Sequence, residues 1–66
     1  MQITIRWLTN KERTETGMDF KATGRRETFT LSGTANDKDQ AESKVLEVLD
    51  LTQEDVIFTH MGQNVP

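Results

Sequence analysis

Nucleophilic catalysis usually starts from a histidine placed beside a hydroxyl or a thiol, and this chain offers few of the parts. His60 is its single histidine, and it has neither cysteine nor tyrosine. A nucleophile–base pair would have to join His60 to Ser32, Ser43 or a threonine, and no spacing sets one up. Paired carboxylates are the other source of acid–base chemistry. Asp37/Asp39 and Glu54/Asp55 qualify by type, but each pair stands where a helix or turn begins. One histidine without cysteine leaves no ordinary zinc set. Asn36, Asp37 and Asp39 lack the further ligands and the glycine of a calcium loop. The four glycines are scattered singly, so no loop cradles phosphate. The chain reads as non-enzymatic, with no catalytic residue, cofactor or metal.

Binding chemistry offers more. Arg6 and Lys21 fall on the polar side of strand-like segments, while Lys11, Arg13, Arg25 and Arg26 fall in loops. With Trp7 available to stack on a base, these residues make nucleic-acid binding the alternative reading. Three features oppose it. The loop at 10–16 and the loop at 23–26 lie at opposite ends of a meander, so their cations form no compact site, although they can flank a groove along Arg6 and Lys21. Glu12, Glu15, Asp19 and Glu27 interrupt the set, and the sequence pI is about 4.9. Trp7 also shares a face with Ile3 and Ile5, which points it at a core. The charge is uneven: residues 1–33 carry a net +2 and residues 34–66 a net −5. The acidic half is of the kind an exposed helix shows, diluted by Lys38 and Lys44.

The elements that must position these residues follow from periodicity. Ile3, Ile5 and Trp7 alternate with Gln2, Thr4 and Arg6, which predicts a first strand. Thr9 to Gly17 is polar and aperiodic, a loop. Met18, Phe20 and Ala22 give a second strand; Phe29 and Leu31 give a third. Facing inward residues across the pair predicts a loop at 23–26, with Phe20 opposite Phe29 and Met18 opposite Leu31. Oxygen-bearing side chains at 34–37 announce a helix over about 37–50. Its inward stripe is Ala41, Val45, Val48 and Leu49, with Glu42, Lys44, Glu47 and Asp50 facing away. Thr52 and Asp55 resemble a second helix start, but Val56-Ile57-Phe58-Thr59 is rich in strand formers and predicts a fourth strand at about 55–61. Residues 62–66 read as a frayed tail.

The order β-β-β-α-β defines a small α+β domain spanning residues 1–66, with the helix on one sheet face. If the first three strands form a meander, the last runs parallel to the first. At 66 residues, 33% hydrophobic and 29% charged, the chain suits one modest core. The absence of cysteine favours a cytoplasmic setting. The opening alternation is unlike a signal peptide, and no apolar run is long enough to cross a bilayer. Size and the lack of catalytic parts suit a small accessory or regulatory protein of bacterial or phage type.

One irregularity stands out. Ile57 and Met61 lie on one face of the last strand, and Val56 and Phe58 on the other. Both pairs cannot face one core. The leading expectation is therefore a protein-interaction module, self-associating or binding a protein partner through Val56, Ile57, Phe58 and Met61, with no membrane and no small-molecule substrate. The nucleic-acid alternative rests on Arg6, Trp7, Lys21, Arg25 and Arg26.

Overall fold

A computed structural model describes residues 1–8, 17–63 and 65–66. Strand β1 (Gln2–Trp7) pairs antiparallel with β2 (Met18–Gly24), and β2 pairs antiparallel with β3 (Thr30–Ala35). Helix α1 (Lys38–Leu49) then carries the chain across the sheet to β4 (Ile57–Met61), which lies parallel to β1. The four-stranded sheet has the order β3-β2-β1-β4, so β3 and β4 are its edges. This is the α+β arrangement that periodicity predicts, and it supplies the strand order that periodicity leaves open.

The alternation in β1 sorts the sheet into two faces. Ile3, Ile5 and Trp7 are buried, joined by Phe20, Ala22 and Ala35 from β2 and β3. Ala41 and Val45 press down on them from the helix, and Val56 closes the edge. Gln2, Thr4, Arg6, Lys21, Thr23 and Ser32 point to the other side, which no described element covers.

Two local expectations shift. Phe20 faces Gly33, not Phe29, and Met18 faces Ala35, not Leu31. The loop between β2 and β3 lies two residues later than expected, with the Gly24 amide donating to the Phe29 carbonyl (3.2 Å). In this register the Phe20 ring lies close over Gly33, where a Cβ would stand 3.0 Å from it, so glycine gives the ring room. Phe29 meanwhile folds its ring against Gly24. The turn takes up the difference through Arg26 and Glu27, both in the left-handed region (φ 61° and 55°).

The helix begins and ends on named groups. Asp37 accepts from the Gln40 amide (2.7 Å) as N-cap. Asp50 turns left-handed (φ 56°), and Leu51 donates to the Leu46 carbonyl (3.0 Å). Its buried stripe runs through Ala41 and Val45, with Leu46 and Leu49 packed beside it. Val48, expected inward, is 67% exposed, because the stripe follows the i, i+4 row and leaves Val48 on the flank above β3. After the helix, a short 3₁₀ turn at Gln53–Asp55 feeds β4, so the strand expected from about residue 55 begins at Ile57.

Candidate functional site

His60 sits on the inner face of β4, level with Ile5 of β1. The Trp7 indole Nε1–H donates to its Nδ1 (3.0 Å), and its Nε2 lies 2.7 Å from the Glu42 carboxylate. The Trp7 and His60 rings are nearly parallel, with 6.1 Å between centroids. An indole nitrogen can only donate, so Nδ1 must be the bare nitrogen and the neutral ring carries its proton on Nε2. That proton is aimed at Glu42. The arrangement ties the last strand to the first strand and to the helix through one ring. Both nitrogens are engaged and the side chain is 12% exposed, which leaves no free nitrogen for a substrate. Glu42, expected to face away from the core, leans in to make this contact.

The residues marked for a partner separate into two groups. Val56 is buried and Phe58 half-buried against the core, so these two belong to the inner face. Ile57 (66% exposed) and Met61 (45%) lie on the uncovered face. Among the described residues the edge itself is unpaired. Ile57 donates its amide to the Met1 carbonyl (2.8 Å), so odd-numbered positions of β4 direct their backbone groups at β1. By alternation, Phe58 and His60 direct theirs outward, where no described strand pairs with them. The sequence Ile-Phe-Thr-His-Met contains no lysine, acid or proline to guard that edge. The opposite edge is treated differently. Lys44 reaches from the helix to the Thr34 carbonyl of β3 (2.5 Å) and occupies its outward acceptor.

The residues marked for nucleic acid also divide. Trp7 is 2% exposed on the helix-covered face, where its ring packs on Phe20 (centroids 5.5 Å apart) and cannot stack on a base. Burial of Ile3 and Ile5 on the same parity carries Trp7 inward with them. Arg6, Lys21, Arg25 and Arg26 do come together, along one groove on the uncovered face. Arg6 stands directly opposite Lys21 across the β1–β2 ladder. Lys11 and Arg13 lie outside the described residues. Among the described residues the single ion pair is His60–Glu42, so none of these four cations forms an ion pair with a described acid, although Glu27 lines the same groove.

The described residues contain no cluster of three metal-ligating side chains, and no described helix is long and apolar enough to cross a membrane. The chain matches no family model, no curated protein and no solved structure.

Proposed function

We propose that this protein is a non-enzymatic interaction module that binds by strand addition at β4, with a second copy of itself as partner. The carrying observation is the unguarded edge: outward backbone groups at Phe58 and His60, flanked by exposed Ile57 and Met61. Edge strands pair with other chains through such groups, and neighbouring side chains set the choice of partner. A two-fold axis through Thr59 makes the edge self-complementary. Phe58 then exchanges both backbone hydrogen bonds with His60 of the second copy, and Ile57 falls opposite the second copy's Met61. The engaged nitrogens of His60 support the non-enzymatic reading. A cysteine-free chain also fits the reducing cytoplasm.

Sedimentation velocity over a wide concentration range tests this. The expected result is a reversible dimer, insensitive to salt, that Ile57→Asp converts to a folded monomer. A wild-type protein that stays monomeric at every concentration removes the second copy as partner.

A further inference from the structure

We propose that the uncovered sheet face holds a second binding site, a groove for an acidic, extended peptide segment of another protein. This stands apart from the β4 edge reading and needs no second copy.

Arg6 and Lys21 are directly opposed across the β1–β2 ladder, and like charges so placed destabilise a sheet. No described acid makes an ion pair with either, although Asp19 lies on the same face two residues before Lys21; Arg6 has Met61 on its other side and Lys21 has Ser32. The same groove receives Arg25 and Arg26 from a turn held in an uncommon backbone conformation, with Arg26 and Glu27 both left-handed. Such conformations cost energy and collect at binding sites. Four cations without a described ion pair thus converge, with Glu27 beside them, on one groove of a chain whose net charge is −3. An anionic occupant offsets the repulsion.

The spacing and the surroundings favour a peptide. From Lys21 to Gly24, the last residue of β2, is three residues, about 10 Å at the strand rise of about 3.3 Å, and Arg25 opens the turn beyond it. Carboxylates four residues apart on one side of an extended peptide lie about 13 Å apart, enough for one to meet Arg6 and Lys21 while the other meets Arg25 and Arg26. Met61 borders the groove and offers apolar contact beside the charge. A single-stranded nucleic acid would need stacking platforms. All four aromatic residues are used elsewhere: Trp7 and Phe20 are buried, and Phe29 and Phe58 pack against the core. Glu27 in the groove also opposes a continuous polyanion and can be passed by a peptide whose carboxylates are four residues apart.

The test is fluorescence anisotropy with a labelled decapeptide of threonines carrying glutamates four residues apart. A matched lysine–threonine peptide and a ten-nucleotide oligo-dT serve as competitors in class. The glutamate peptide binds saturably, more weakly as salt rises, and the other two bind less tightly. Lys21→Gln, and separately Arg25→Gln with Arg26→Asn, weaken it about tenfold or more; asparagine keeps the left-handed turn. Lys38→Gln, on the helix side, leaves binding unchanged. Lys21→Gln also raises the unfolding temperature by relieving Arg6, so its loss of binding is not a loss of fold. Absence of saturable binding, or equal affinity in the groove variants, overturns the proposal. Tighter binding of the oligonucleotide overturns it as well and assigns the groove to nucleic acid.

Discussion

A buried indole N–H without an acceptor costs about 1–3 kcal/mol, and Trp7 meets that demand through His60 Nδ1 (3.0 Å). His60→Leu keeps bulk on the inner face and removes the acceptor. The expected outcome in urea unfolding is a loss of about 1–3 kcal/mol, a large share of what a chain of this size has to spare. Glu42→Gln keeps an acceptor for Nε2–H and should cost clearly less. Equal stability of His60→Leu and wild type would show that the indole finds another partner. The sequence contains the clue to this contact, but in a form that single-residue reading passes over. Once Val56 and Phe58 are inward, parity carries His60 inward too. Trp7 is inward by the same logic in β1. What parity cannot supply is that β4 lies beside β1, which is what brings the two rings together.

At the scale of elements, β4 depends on how the chain is delivered to it. The Thr52 amide and hydroxyl both donate to the Asp55 carboxylate (3.1 and 2.8 Å), closing the turn that precedes the strand. The Thr52 hydroxyl chiefly, and its amide next, hold the Asp55 carboxyl below the usual aspartate range. A lowered folded pKa means that the charged form is favoured by folding. The contribution is present in full above the unfolded aspartate value, about 3.9, and is lost as pH falls through the lower folded value. Asp55→Asn should therefore be less stable than wild type at neutral pH, with the two converging in acid. Thermal melts from pH 7 down to pH 2–3 check this, and a constant gap would refute it. The Thr-x-x-Asp pattern and the strand formers after it are both legible in the sequence. The β2–β3 register is not, because pairing Phe20 with Phe29 satisfies burial on paper. The observed register instead sets the Phe20 ring over Gly33 and closes the turn with a left-handed pair, neither of which periodicity shows.

The whole molecule separates its charge across the sheet. Cations of the first half line the open face, while the acidic helix covers the other face. Composition shows the imbalance between halves but not that it becomes an imbalance between sides, which depends on the helix crossing from β3 to β4. The same crossing leaves β4 as an edge, and the proposed two-fold there makes a sharp geometric demand. If Phe58 and the second copy's His60 form a hydrogen-bonded pair, Thr59 meets its own copy at a non-hydrogen-bonded position. Cα atoms at such a position lie about 4.5 Å apart, within the range of about 4.4–6.8 Å that a disulfide tolerates. The chain has no cysteine of its own, so Thr59→Cys introduces a single thiol. Under mild oxidation this variant should form a covalent dimer quickly and nearly completely at concentrations where wild type associates. Ser43→Cys, on the exposed side of the helix, should cross-link slowly and only by random collision. Ile57→Asp placed with Thr59→Cys should slow the cross-link to the control rate, since it breaks the apolar pairing and leaves the thiol untouched. Equal rates for Thr59→Cys and Ser43→Cys would reject the axis through Thr59 even if the protein dimerises, and would send the search for the interface to another surface.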